Sequence, residues 1–368
     1  MIVELKDVCE KEISNIRQKD LLDKKGDYPI YGASGLIGNV DFYRQETPYV
    51  AVVKDGAGIG RAMLLPAKSS VIGTMQYLIP KGNVLPEYLY YVVKNMHLEK
   101  YYSGATIPHI YFKYYKKEKF NLVDLDQQRK IISVFKKIED AIRKQRDELT
   151  NLDTLIKARF VEMFGDPLRN DRTWPISKLK LLTTKIGSGA TPKGGKQSYK
   201  KEGITLVRSM NVHDGEFVYK NLAYIDTAQA HDLDNVELQP KDVFINITGA
   251  SVARSCVIPD NILPGRVNQH VAIIRCKENL LNYIFLNRLF LNSSFKQKLL
   301  AMGQAGGATR QALTQEQLKK LNLILPPIEL QNEFASFVQQ VDKSKVAIQK
   351  SLDETQTLFD SLMQKYFS

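Results

Sequence analysis

From Asp126 to about Phe164 glycine and proline vanish, and apolar residues recur at alternating four- and three-residue steps. Ile131, Phe135, Ile138, Ile142, Leu149, Leu152 and Ile156 form the stripe, with Gln145 and Arg159 as polar interruptions. A seven-residue apolar period keeps one edge of a helix turned toward a partner helix, so the pattern predicts a coiled-coil segment. A second stripe follows the same rule through Phe334, Val338, Val341, Ile348, Leu352, Phe359, Leu362 and Tyr366, with Lys345 and Thr355 as exceptions. Asp124 three residues before Gln127 is an N-terminal capping pattern, and Gly165-Asp166-Pro167 stops the first helix. Pro326-Pro327 opens the second, since proline is tolerated in a first helical turn. Each helix would be roughly 55 Å long at 1.5 Å per residue, too long to lie on one small domain. The two are expected to pack on each other.

Residues 1–125 and 172–327 carry a different pattern, short apolar runs broken by Gly, Pro and Asn. Val50 to Val53, Val71 to Ile72 and Tyr77 to Ile79 read as strands in the first, and Leu206-Val207, Val243 to Ile247 and Val271 to Ile274 in the second. The expected organisation is a globular domain over 1–125, a long helix over 126–164, a linker over 165–171, a second domain over 172–327 and a second long helix over 328–368. Because the second helix must return along the first to pack on it, the pair is expected to be antiparallel. The fold class is α+β, two mixed α/β domains and two long antiparallel helices in a pseudo-two-fold internal repeat.

The repeat is written into the residues. Gly104-Ala105-Thr106 returns as Gly307-Ala308-Thr309, Lys116-Lys117 as Lys319-Lys320, Gln128 as Gln331, Thr154-Leu155 as Thr357-Leu358 and Phe164 as Phe367, all at an offset of 203. Such a period is far beyond that of solenoid repeats and marks a duplicated module. Outside the shared tail the domains diverge, with faint echoes such as Lys54-Asp55-Gly56-Ala57 against Ile247-Thr248-Gly249-Ala250. A reader of two different targets on one common frame would have this form.

Charge narrows the partner. The 368 residues hold 52 Lys and Arg against 40 Asp and Glu, a net charge of +12, which favours a polyanion. Three scattered cysteines, Cys9, Cys256 and Cys276, support neither a disulfide framework nor a zinc site. Neither a signal-peptide pattern nor a membrane-spanning apolar run is present, and a soluble, cytoplasmic protein is expected.

Candidate catalytic motifs fail on context. Val52 to Gly60 copies the glycine loop that holds S-adenosylmethionine, but that loop must open a helix, and Pro66 follows too soon. A tight hairpin turn with Lys54 and Arg61 beside it for phosphates is the expectation. Gly187 to Lys196 resembles a phosphate loop but misses its first Gly and its final Ser or Thr. It reads as a flexible loop whose lysines touch phosphates. His97, His109, His213, His231 and His270 show no metal-ligand spacing. No metal site and no catalytic residue is expected. Arg, Asn and Gln can read base edges in the major groove. The candidate DNA contacts are Tyr31, Ser34, Lys54, Arg61, Thr106 and His109 in the first domain. In the second they are Ser188, Thr191, Lys193, Lys196, Arg208, Asn211, Arg254, Gln269, His270, Thr309 and Arg310.

At this point the chain resembles the specificity subunits of type I restriction-modification systems. The resemblance rests on Tyr28 to Gly38, on the Gly-Ala-Thr segments, on Leu325 to Gln331, on Met163-Phe164-Gly165-Asp166-Pro167 and on Trp174. The first copy departs in having Val123-Asp124 where the family usually shows Pro-Pro, which bears on how that helix is capped. The resemblance implies that each globular domain reads one half of a bipartite double-stranded DNA sequence while the helices set the gap between them. It implies two modification subunits, which hold S-adenosylmethionine and methylate adenine, and restriction subunits, which use ATP and Mg. No cofactor is implied for this chain. Two other readings remain, an autonomous S-adenosylmethionine-dependent DNA methyltransferase using the Gly56 to Gly60 loop, and a coiled-coil scaffold with no role on DNA.

Overall fold

A computed structural model of the chain describes residues 1–21, 25–104, 107–192, 195–304 and 311–367. It divides into two compact units, Met1–Asp147 with Ile348–Ser368, and Glu148–Ala347. The dividing line passes through both long helices, Leu125–Phe164 and Ile328–Phe367, each of 40 residues. Every unit therefore contains half of either helix.

In the first unit β1 (Ile2–Glu4) pairs with β9 (Lys119–Asn121) at the foot of the long helix. A four-stranded antiparallel sheet has the order β2 (Cys9–Ile13), β8 (Met75–Pro80), β5 (Tyr49–Val53), β6 (Ala62–Leu65). Strand β5 is buried along its whole length, which is why it reads Tyr-Val-Ala-Val-Val with no polar alternation. A three-stranded sheet follows, β4 (Gly35–Val40), β3 (Tyr28–Gly32), β7 (Ser70–Val71), in which β3 runs parallel to β7.

The second unit repeats this topology sheet for sheet. β10 (Ile176–Lys178) pairs with β18 (Asn322–Ile324). The four-stranded sheet runs β11 (Thr183–Ser188), β17 (Val271–Cys276), β14 (Val243–Asn246), β15 (Ser255–Val257). The three-stranded sheet runs β13 (Ala223–Ile225), β12 (Ile204–Val207), β16 (Gly265–Val267), again with its one parallel pair between β12 and β16. The strands expected from the apolar runs are all present. Of the three-stranded sheets, only the edge strand at Val71 and the central strand at Leu206-Val207 were expected.

Within either unit the helix halves run antiparallel. In the first, Phe135 packs against Phe359 and Phe367 with ring centroids 5.3 and 5.6 Å apart, and Gln145 donates to Ser351 Oγ at 2.8 Å. In the second, Phe164 meets Phe334 at 5.4 Å, Arg159 reaches Glu333 at 3.2 Å and Lys345 pairs with Asp153 at 2.7 Å. Three of the four polar interruptions in the stripes are thus polar bridges between helices. Ile131, Phe135, Ile142, Ile156, Phe334, Val338, Val341, Leu352 and Phe359 are buried, while Ile138, Leu149, Leu152, Ile348 and Leu362 are half-buried.

Near the helix C-termini the seam moves by one residue. Phe160 and Phe164, and Met363 and Phe367, are buried where a strict seven-residue stripe would place Arg159 and Met163, or Leu362 and Tyr366. A straight α-helix drifts about 20° per heptad against a 3.5-residue period. The last turns follow the globular core instead, with Phe164 against Phe285 at 4.8 Å and Phe367 against Tyr88 at 5.2 Å. Asp124 Oδ1 accepts from Gln127 N at 2.8 Å to cap the first helix, and Gly165, at φ +75°, takes the left-handed conformation that ends it.

The repeated Gln128 and Gln331 prove to be wholly buried clamps. Gln128 Oε1 accepts from Leu85 N at 2.8 Å, and its amide donates to Asn83 O and Val123 O at 3.0 and 2.9 Å. Gln331 makes the matching bonds to Asn282 N, Leu280 O and Pro326 O. These amides satisfy backbone groups where the long helix meets the shorter helix Pro86–Asn95 or Tyr283–Leu291.

Candidate nucleic-acid interface

In the first unit three backbone segments converge beyond the end of β5. The turn Lys54 to Arg61 joins β5 to β6, so the glycines of the apparent cofactor loop lie between antiparallel strands and open no helix. Two bonds lock the turn, Gly60 N to Val53 O at 2.9 Å and Val53 N to Arg61 O at 3.0 Å. The segment before the long helix lies against it through Gly56 N to Pro108 O and Ile110 N to Lys54 O, both 2.9 Å. The loop between β7 and β8 joins through Lys54 N to Thr74 O, also 2.9 Å.

The second unit reproduces each of these bonds. Ala253 N donates to Asn246 O at 2.9 Å and Asn246 N to Arg254 O at 2.8 Å. Gly249 N donates to Gln311 O, Leu313 N to Ile247 O and Ile247 N to His270 O at 2.9, 2.8 and 3.0 Å. Arg61 and Arg254 consequently occupy one position in two copies of one turn, as do Gly56 and Gly249, at φ +85° and +76°. The faint Lys54-Asp55-Gly56-Ala57 echo marks this shared backbone.

The side chains on the two frames differ. In the first unit Asp55 accepts from His109 Nδ1 at 2.6 Å and is ion-paired with Lys54. Exposed Arg61 donates from Nη1 to Ala33 O at 3.1 Å, tying the turn to the tip of the β3–β4 hairpin. Ser34 is exposed on that tip and shares with Arg61 a shallow cleft of about 350 Å³, and Tyr31 is half-buried on β3. Tyr31, Ser34, Lys54, Arg61 and His109 are thus carried by the β3–β4 hairpin and two neighbouring loops.

In the second unit Thr248 stands where Asp55 does, with its hydroxyl 2.5 Å from His270 Nδ1. Thr191 donates to Gln269, which joins two candidates 78 residues apart in sequence, and Ser188 Oγ accepts from Gln315 at 3.3 Å. Half-buried Arg254 has no side-chain hydrogen bond or ion pair among the described residues. Arg208 is less free, since its guanidinium donates to Asn221 O and lies 5.3 Å from the Tyr199 ring.

Asn211 is corrected. It is fully buried, accepts from Arg208 N at 3.1 Å and donates to Val218 O at 2.8 Å and Lys220 O at 3.3 Å, so no edge of its amide is left for a base. Thr106, Lys193, Thr309 and Arg310, and the side chain of Lys196, lie outside the described residues. Asp55 and Thr248 were absent from the candidates, although their matched place before Gly56 and Gly249 was the signal that could have found them. Burial pushes the thiols of Cys9, Cys256 and Cys276 up to about 12, which makes each a protonated core side chain. No described helix is long and apolar enough to cross a membrane.

The family model for the type I restriction modification DNA specificity domain matches this chain twice, over residues 1–151 and 172–355. The chain belongs to this family. Among curated relatives, the putative type I restriction enzyme MjaX specificity subunit of Methanocaldococcus jannaschii is 26% identical over 53% of this chain and 45% of its own length. The MjaIX specificity subunit of the same organism is 22% identical over 78% of this chain and 69% of its own length. The chain thus spans about half the length of the first of these relatives. Among solved structures, the S subunit of a type I restriction-modification system from M. genitalium aligns over 100% of this chain and 96% of its own, with TM-score 0.64 and 13% identity. A chain from a structure of type I restriction-modification complex assembly aligns over 100% and 97%, with TM-score 0.58 and 15% identity. Both likenesses concern the fold. The family match falls once on each copy of the duplicated topology, so the duplicated turn and its loops are specificity-domain features.

Proposed function

We propose that this chain is the DNA-reading subunit of a type I restriction-modification complex, non-catalytic in itself. Each globular domain reads one half of a bipartite duplex site, and the long helices set the number of base pairs between the halves. Two modification subunits dock on the chain and methylate adenine with S-adenosylmethionine, and restriction subunits using ATP and Mg join them. The observation that carries this reading is a pair of hydrogen-bonded frames that match bond for bond while presenting different side chains, Lys54, Asp55 and His109 on one and Ile247, Thr248 and His270 on the other. A common frame with divergent side chains is what two half-sites of different sequence require. The pairing of the cofactor-like glycines into a β-hairpin argues against the autonomous methyltransferase, because the ligand-binding loop must end at a helix N-terminus.

Methylome sequencing of cells expressing the chain with its modification subunit tests the reading. A bipartite methylated motif is expected, and replacing residues 172–327 by the domain of another family member should change one half only. Inserting four residues after Arg146 and four after Gln349 lengthens both helices by about 6 Å, near two base pairs, and should widen the spacer. Methyl transfer by the purified chain alone would refute the non-catalytic assignment.

A further inference from the structure

Beside the Asp55–His109 pair the first unit carries a cleft of about 500 Å³. Lys11, Lys54, Lys113 and Lys116 line it, with Tyr111 on its rim. The alternation of β2 sends Lys11 to this cleft while Glu12 accepts from Gln45 beside another cavity. The one carboxylate in the lining, Asp55, is already paired with Lys54 and His109. Among the described residues Lys11, Lys113 and Lys116 have no carboxylate partner. Lys113 Nζ instead lies over the rings of Tyr111 and Tyr114, at 5.5 and 4.8 Å, and those rings are 49% and 50% exposed.

The second unit lacks this arrangement on the same backbone. At the 203-residue offset Tyr111, Lys113 and Lys116 become Thr314, Glu316 and Lys319. Thr314 caps a short helix, and Glu316 neutralises Lys319 at 2.7 Å. Lys54 becomes Ile247 and, by strand register, Lys11 opposite Leu78 becomes Ile186 opposite Ile274, with Lys185 beside it.

We propose that the lysine cleft of the first unit seats the phosphate backbone of duplex DNA alongside its half-site, so that the chain holds its two half-sites with unequal electrostatic grip. Three unpaired ammonium groups around a groove match a run of phosphates, and exposed tyrosine hydroxyls donate to phosphate oxygens without reading sequence. The proposal rests on the DNA-reading function above and adds which half is held more tightly.

The test uses the chain assembled with its modification subunits, and a labelled duplex bearing the methylated motif, titrated from low to high salt. The triple variant Lys11→Gln, Lys113→Gln, Lys116→Gln should bind the duplex at least tenfold more weakly at moderate salt. Its slope of log K against log salt should be shallower by about two to three, near 0.9 per lost phosphate contact. The motif read by methylome sequencing should stay the same. The matching Lys→Arg triple should restore the slope, and Lys185→Gln with Lys319→Gln should change it by one or less. An unchanged slope in the Gln triple, with specific binding intact in the parent complex, overturns the cleft and leaves the function standing. Loss of modification-subunit assembly in the Gln triple but not the Arg triple also overturns it, by making the cleft a protein seat. A parent complex with no preference for the motif brings down both.

Discussion

The turns Gly56–Arg61 and Gly249–Arg254 follow the same hydrogen-bond path, yet the first reaches its left-handed next-to-last step with Gly60 and the second with Ala253. At Gly60 an added Cβ would lie 2.5 Å from Glu99 N, a backbone atom that cannot step aside, whereas Ala253 holds a φ of +65° with its methyl buried in the core of the second unit. The backbone path is what the duplication has kept. The packing around it has been rebuilt separately in each copy, and the side chains facing outward have diverged further still.

The largest effect expected from testing that equivalence is at the helix ends. Phe164→Ala and Phe367→Ala remove corresponding buried rings and should each cost about 3–5 kcal/mol, read by urea unfolding. If one of them proves nearly neutral, the two helix ends are not energetic equivalents. Next come the buried amides. Gln128→Leu and Gln331→Leu each strand backbone groups that have no water to turn to, and should cost about 2–3 kcal/mol apiece. Unequal costs there would show that the clamp matters in one copy only.

The turn itself sharpens the contrast, because its two substitutions should have opposite signs. Gly60→Ala combines a left-handed penalty of about 1–2 kcal/mol with the clash at Glu99. Ala253→Gly relieves that penalty but loosens the unfolded chain, for a net gain in stability of about 0–1 kcal/mol, read as an unchanged or raised midpoint of thermal unfolding. A destabilising Ala253→Gly would mean that the alanine methyl contributes more than its strained backbone costs. The smallest effects concern Arg61→Ala and Arg254→Ala in the assembled complex. Each should make the salt dependence of DNA binding shallower by about 0.9 with an unaltered methylated motif. A changed motif would turn either arginine from a phosphate contact into a base reader.

The long helices were legible because their signal is local and redundant: a seven-residue stripe in each copy, a capping aspartate and a glycine stop on the first, and a proline pair opening the second. The burial of Phe160 in place of Arg159 was not, since a stripe on a helix cannot show where the partner surface changes from helix to globular core. The parallel pairings of β3 with β7 and β12 with β16 were hidden for another reason. They join short strands some forty to sixty residues apart, and two or three residues carry little periodicity. Among the candidate contacts, residue type alone misled at Asn211. An asparagine after a strand can offer its amide to a base or to its own loop, and only the path of Val218 and Lys220 decides which. Asp55 and Thr248 were passed over for the converse reason, because a small acceptor beside a glycine reads as an ordinary turn residue until its histidine partner is brought alongside.

The division of both helices between the units bears on how the protein is made. The first unit includes Ile348–Ser368, and its core ring Phe135 is closed by Phe359 and Phe367. On the ribosome, where folding proceeds as segments emerge, residues 1–147 must wait with that aromatic seam open until the whole of Glu148–Ala347 has been translated. The part synthesised first is the part completed last, and a chain stalled or cleaved before residue 348 leaves its earliest-made unit unfinished while its later-made one is whole.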